Sequence, residues 1–211
     1  MRRVLLLTVL LLGLAHPALA QRLSLSSVQD AYEALDGLQA SFTQVIASSF
    51  ADGSTRVEGA VLLSGNKYRV RTPNQTVVTD GETTWIYTPA DSQVVVNDAD
   101  TEGAVTPETF LTASDDLYKV QSSQQTTRGG RPHVQLTIAS TDSSSRFAEA
   151  TLWVRTEDRI VTRMRATDRN GSILNLRLHS ITLNPDTLQS DAPFTFSPPS
   201  GVRVVDLRRR K

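Results

Sequence analysis

The sequence predicts a mainly β protein of the α+β kind: an incomplete, strongly curved antiparallel β-barrel of about eleven strands with a helical lid. Three observations predict it. Past Gly37 the apolar residues recur with a period of two, in one short run after another. Turn formers separate the runs, among them Ser64-Gly65-Asn66, Pro73-Asn74, Gly129-Gly130, Asp142-Ser143, Glu157-Asp158 and Asn170-Gly171. Helix signals occur only at the front and in the middle, and no repeat or linker divides the chain. A sheet of that length curls on itself, and two helices are enough to cover its open side.

The first twenty residues read as an address. Arg2 and Arg3 precede the apolar run Val4–Leu14, which is too short to span a bilayer comfortably. Ala18 and Ala20 form an A-x-A cleavage pattern, so a signal peptide of residues 1–20 is expected to be cut after Ala20. Residues 21–211 are then one domain outside the cytoplasm. No Cys follows the small residues, which argues against bacterial lipidation, and no later stretch is apolar enough to be a helical span.

The elements follow in order. Ser27 caps a helix with Asp30 three residues on, and Val28, Ala31, Tyr32 and Leu35 repeat at helical spacing. Gly37 is placed to stop it as a C′ residue. Leu38, Ala40 and Phe42 then alternate with polar residues as a strand, and Val57–Leu63 is the next. Tyr68, Val70 and Thr72 alternate with Lys67, Arg69 and Arg71, giving one apolar and one basic face. Thr76–Thr79 and Thr83–Thr88 flank Asp80-Gly81, a hairpin signal in which both turn residues take positive φ. Pro89–Ser92 is a turn and Gln93–Asn97 a strand. Thr106-Pro107-Glu108 starts a short helix carrying Phe110 and Leu111. Strands resume at Tyr118–Gln124, His133–Ala139, Phe147–Arg155, Ile160–Asp168 and Ile173–Leu183, and Val202–Val205 closes the chain.

Composition excludes several functions. The chain has 22 Lys+Arg against 22 Asp+Glu, without the basic excess of a nucleic-acid binder. Losing Arg2 and Arg3 leaves a mature chain with two more acids than bases. The absence of Cys removes disulfides, thiolate metal sites and thiol nucleophiles. No G-x-S-x-G, P-loop, EF-hand loop, dinucleotide fingerprint or His cluster occurs, so no cofactor or metal is expected. His133 and His179 stand in strands, where a histidine is ordinarily structural. Asp115-Asp116 and Glu157-Asp158 read as solvated turns rather than a catalytic pair.

What remains is an apolar concavity. Its inner face is expected to hold Phe42, Leu63, Tyr68, Val70, Trp85, Tyr87, Leu152 and Met164. Residue type alone does not separate a packed core from a lipid pocket, because both are mostly apolar. Trp85 fits either use. The tail Arg208-Arg209-Arg210-Lys211 fits a solvated terminus or a contact with anionic lipid.

Several stretches, in order, resemble one family. They are Leu38-Gln39-Ala40-Ser41-Phe42-Thr43-Gln44, Gly59 through Arg71, Thr79-Asp80-Gly81-Glu82-Thr83-Thr84-Trp85-Ile86-Tyr87-Thr88-Pro89 with Gln93-Val94 after it, Thr106-Pro107, and Phe194-Thr195-Phe196-Ser197-Pro198-Pro199-Ser200-Gly201-Val202. Together they are similar to the LolA family of periplasmic carriers of outer-membrane lipoproteins. The resemblance implies an open barrel with a lid and an apolar cavity for the acyl chains of lipoproteins. On that reading Leu35, Phe110 and Leu111 from the helices join the eight inner-face residues as acyl-chain contacts. It implies cargo taken from an inner-membrane lipoprotein-releasing ABC transporter and passed to an outer-membrane acceptor where one exists. A monomer follows from the need to offer one mouth to two partners in turn. Proteobacterial members lock the lid with an Arg where this chain has Ser64-Gly65, and Tyr68 and Val70 replace an aromatic pair of the cavity. A second function implied by the same fold is a periplasmic sensor that binds a lipid or lipoprotein and regulates an envelope partner.

Overall fold

The computed structural model describes residues 23–50, 52–99, 117–188 and 190–208. The expected signal peptide, the expected central helix with Phe110 and Leu111, the Asp115-Asp116 pair and the end of the basic tail lie outside them.

One helix, α1 (Leu25–Glu33), precedes the strands. Its cap is Ser24, whose Oγ accepts from the Ser27 N–H at 3.1 Å, so the helix begins before the predicted Ser27 cap. Leu25 and Val28 are buried, and Leu23, Tyr32 and Leu35 pack against the same core. The Val161 N–H donates to Tyr32 Oη at 3.2 Å, tying the helix to the long strands of the sheet. Gly37 does not act as a C′ residue. A Cβ there would collide with Leu188 Cδ1 and the Leu63 carbonyl, so close approach of chain segments is what requires glycine.

Twelve strands follow among the described residues: β1 (Leu38–Ala47), β2 (Ser54–Ser64), β3 (Lys67–Arg71), β4 (Thr76–Thr79), β5 (Thr83–Thr88), β6 (Gln93–Asp98), β7 (Tyr118–Arg128), β8 (Arg131–Ser140), β9 (Phe147–Arg155), β10 (Val161–Asp168), β11 (Ile173–Leu183) and β12 (Arg203–Asp206). All belong to one sheet, ordered β12-β6-β5-β4-β3-β2-β1-β11-β10-β9-β8-β7. The mainly β class and the open, curved barrel are as the sequence predicts. The β1–β11 pairing, Phe42 opposite Leu178 and Ile46 opposite Leu174, joins the first strand to the last long one. Every pairing is antiparallel except β12 with β6, which is parallel. That strand, expected over Val202–Val205, arrives from around the outer face rather than from a hairpin.

The β4–β5 connection is a correction of detail. Its loop is three residues long, and Gly81 (φ 96) takes positive φ while Asp80 does not. Asp80 Oδ1 instead accepts from the Glu82 and Thr83 N–H groups at 2.9 and 2.8 Å, an Asx turn.

The core lies on the concave face. Leu136, Ile138, Leu152, Val154, Ile160, Val161 and Met164 are fully buried there, under α1. A second apolar group lies on the convex face of β4–β6, where Val78 and Val94 are fully buried. Phe194 covers this side from a short 3-10 turn, Ala192–Phe194, in the segment that leads to β12.

Candidate functional site: an apolar cavity on the concave face

The strand registers fix which residues can meet. Residues directly opposite in paired strands share a face. Val70 of β3 faces Val61 and Val77, and Val77 faces Ile86 of β5. On the other side, Phe42 and Ile46 of β1 face Leu178 and Leu174 of β11. The curl of the sheet brings these two groups together around a cavity of about 490 Å³. Its apolar wall is Phe42, Ile46, Val57, Val70, Val77, Ile86 and Leu174. Its polar members are Gln44, Thr72, Asn74, Gln75, Thr88 and Arg146. The volume is in the usual range of ligand pockets, about 300–1,000 Å³.

Among the described residues, Arg146 is the one charged member of the wall. Its guanidinium lies 5.1 Å from the Phe147 ring centroid and 3.6 Å, at Nε, from Asp168 Oδ2. Gly59 gives the cavity its depth. It stands opposite Phe42, and a Cβ there would come within 2.7 Å of Phe42 Cζ. The arrangement can take up an apolar chain and set a polar or anionic head beside Arg146.

The predicted site residues separate into three groups. Phe42 and Val70 line the cavity. Leu35, Leu63, Tyr68, Leu152 and Met164 belong to the adjoining core or pack against it, and none lines the cavity. Trp85 and Tyr87 are on the other face, which corrects the sequence expectation. Trp85 pairs with Val78 and Val96, and Tyr87 with Thr76 and Val94. The Tyr87 ring meets Phe196 at 6.0 Å between centroids. Ile86 occupies the inward position between them. The hairpin register decides this. Val78 also pairs with Arg69, whose side chain reaches the outer segment, donating from Nε to the Pro193 carbonyl at 2.6 Å and from Nη2 to the Thr195 carbonyl at 2.9 Å. Arg69 therefore points away from the cavity, as alternation predicts.

Sequence reasoning missed Ile46, Val57, Val77, Ile86 and Leu174. The signal for Ile86 was the parity of β5 against β4. The signal for Ile46 was the period-two run continuing from Phe42. His133 and His179 are both on structural hydrogen bonds: His133 Nε2 with Thr162 Oγ1 at 3.0 Å, and His179 Nε2 with Thr43 Oγ1 at 3.2 Å. Among the described residues no three His, Asp or Glu side chains gather as a metal site.

The comparisons agree with this geometry. The family model described as "Outer membrane lipoprotein carrier protein LolA" matches residues 33–197. An "Outer-membrane lipoprotein carrier protein" of Haemophilus ducreyi is 29% identical over 217 aligned residues, covering 97% of this chain and 95% of its own. A protein of the same name from Haemophilus influenzae is 28% identical over 205 residues, covering 95% and 94%. The crystal structure of an uncharacterized conserved protein from Thermus thermophilus is similar with a TM-score of 0.56 at 15% identity, covering 87% of this chain and 98% of that one, a likeness of fold alone. The family match takes in most of the chain, from α1 to the segment that covers the convex face, and so this chain belongs to the LolA family of outer membrane lipoprotein carrier proteins.

Proposed function

We propose that this protein is a periplasmic carrier that holds the acyl chains of lipoproteins in the concave cavity and moves them from the inner to the outer membrane. The observation that carries the reading is the cavity itself: seven apolar wall residues with polar residues beside them, on a chain of this family. Burial of apolar surface supplies the affinity. About ten methylenes taken out of water gain about 8 kcal/mol. A carrier must also release its cargo, so part of that gain is offset by the cost of opening the cavity.

The remaining steps follow from the role. Residues 1–20 are removed as a signal peptide, and residues 21–211 work as one domain and as a monomer. The donor is an inner-membrane lipoprotein-releasing ABC transporter, and the receiver is an outer-membrane acceptor where one exists. Phe110 and Leu111 serve as further acyl-chain contacts. Leu35, Leu63, Tyr68, Leu152 and Met164 back the cavity wall and repack as it fills.

The test is a release assay. Purified residues 21–211 are added to spheroplasts holding newly made lipoproteins, with a competent transporter present. Soluble one-to-one complexes in the supernatant are expected. Ile86→Glu, which puts a charge on the cavity wall at a half-buried position, is expected to lower release about tenfold, since burying an unpaired carboxylate beside the chain is costly. Failure of release by the folded wild-type protein would overturn the carrier reading.

A further inference from the structure

A second depression lies on the opposite face of the sheet, away from the apolar cavity. It measures about 730 Å³ and is walled by the β7–β8 hairpin, by β10 and by the end of β11. Arg128, Arg131, Arg155, Arg163 and Arg177 line it together with His133 and His179, and among the described residues no carboxylate does. Arg155 is neutralised by Asp158. Arg128, Arg131, Arg163 and Arg177 form no ion pair among the described residues. A smaller hollow of about 250 Å³ shares Arg163, Arg177 and His179 and extends the basic surface to Arg56 on β2.

The face assignment follows from register. Met164 and Leu176 pair and are buried inside, so their neighbours Arg163 and Arg177, which also pair with one another, point outward. Three features show that the cluster is built rather than a set of free surface side chains. The guanidinium carbons of Arg128 and Arg163 lie over the ring of buried Trp153, at 4.7 and 4.8 Å from its centroid. Arg128 Nε is buried with no hydrogen-bond partner, so this side chain is held in the pocket wall rather than free in solvent. Ser180, at φ 49, interrupts β11 where its register with β1 shifts, and the hollow opens there. Burial first, and then Arg128, Arg177 and Arg165, push the Arg163 guanidinium below its ordinary pKa, a sign of crowded like charge.

We propose that this convex-face arginine pocket binds a phosphate-bearing ligand. Four guanidinium groups, one each from β7, β8, β10 and β11, converge on one hollow. Such planar forks match the several oxygens of a phosphate by paired N–H bonds, whereas one carboxylate would satisfy only one of them. Binding of an anion also removes the mutual repulsion of the empty site. The hollow is larger than a bare phosphate needs, so the ligand is a phosphorylated small molecule or the headgroup of a phospholipid. The site does not depend on the carrier reading.

The test uses residues 21–211 with two probes: pyrophosphate, followed by titration calorimetry and by Tm, and vesicles of phosphatidylglycerol against phosphatidylcholine. Arg128→Gln and Arg177→Gln are each expected to weaken binding about tenfold, the effect of losing one charge-assisted fork. Arg71→Gln, exposed on β3, leaves it within about twofold, because an exposed distant charge adds little. Ile86→Glu in the apolar cavity leaves it unchanged, which separates this site from acyl binding. Pyrophosphate binding identifies a free phosphorylated ligand, and binding to phosphatidylglycerol vesicles alone identifies a headgroup. Binding of neither probe, or binding that both Arg→Gln variants leave intact, overturns the proposal.

Discussion

Gly59 and Phe42 set the depth of the cavity between them, and a single methyl group tests the arrangement. A Cβ at position 59 would lie 2.7 Å from Phe42 Cζ and 2.8 Å from Cε1, and would also press on the Arg71 carbonyl. Gly59→Ala is therefore expected to destabilise the fold by about 1–3 kcal/mol, as overpacking does. A urea denaturation midpoint measures it. Adding Phe42→Leu should restore part of the loss, since the ring clash goes and the carbonyl clash stays. At this scale the site was only half legible. Phe42 and Val70 could be read from alternation, because each sits in a run whose inner face is plain. Trp85 and Tyr87 misled because β5 is covered on both faces: large side chains pack outward against the C-terminal segment while Ile86 turns in. Residue size does not report a face, but register does. A p-benzoylphenylalanine at position 86 should capture an acyl chain, and the same group at position 85 should not. Equal capture at both positions would contradict the inward assignment of Ile86.

Among the elements, the strands were the most legible. β4, β5, β9 and β11 have the bounds that the sequence predicts, and most others differ only at their ends. Direction and pairing of β12 were not legible, because alternation in Val202–Val205 says strand and nothing about which edge it joins. That depends on the path of the chain from β11 around the convex face, a matter of tertiary packing. Arg69 holds that path through its two bonds to the Pro193 and Thr195 carbonyls. Arg69→Met keeps most of the stem and removes both, which should cost about 2 kcal/mol locally. Faster hydrogen exchange at the Phe194 and Thr195 amides, with the β9 amides unchanged, is the expected signature. The β9–β10 turn has a different dependence. Burial works against the Asp158 carboxylate, but hydrogen bonds from Arg155 and from the Ile160 N–H, with the charge of Arg155, hold its pKa below the ordinary 3.8. A carboxyl depressed in the folded state stabilises the protein above its unfolded pKa and loses that contribution as pH falls through the folded value. Unfolding free energy should thus fall with acid below about pH 4. Asp158→Asn should flatten that part of the profile while leaving stability lower at pH 7.

The open sheet of the described residues has two edges, each a row of backbone groups that another chain could pair with. The β7 edge is polar over most of its length, from Lys119 to Arg128, with Val120 its exposed apolar residue. The other edge is protected by β12, which pairs with β6 from Arg203 opposite Gln93 to Asp206 opposite Val96. The Arg203 N–H donates to the Ser92 carbonyl at 2.9 Å and the Leu207 N–H to the Val96 carbonyl at 2.8 Å, so hydrogen bonding continues at both ends of β12. β12 is itself a poor template. It is four residues long, it carries Arg203 and Asp206, and Asp206 pairs with Arg208 at 2.6 Å. Short, charged edge strands resist association. β6 behind it is different, with Val94, Val95 and Val96 in a row and a backbone that, among the described residues, β12 and the adjoining Leu207 satisfy on that side. A chain ending at Gly201 should therefore expose a flat apolar edge and self-associate through β6. Sedimentation at increasing concentration is the measurement: residues 21–211 stay monomeric, and residues 21–201 form dimers and larger species. Val95→Asp or Val95→Lys would confound the result with cavity damage, because Val95 shares the inner face with Ile86, so the rescue is better made by adding the missing strand in trans. A peptide of residues 202–208 should return the truncated chain to monomer. If the truncated chain stays monomeric without it, β12 is not what keeps this edge closed.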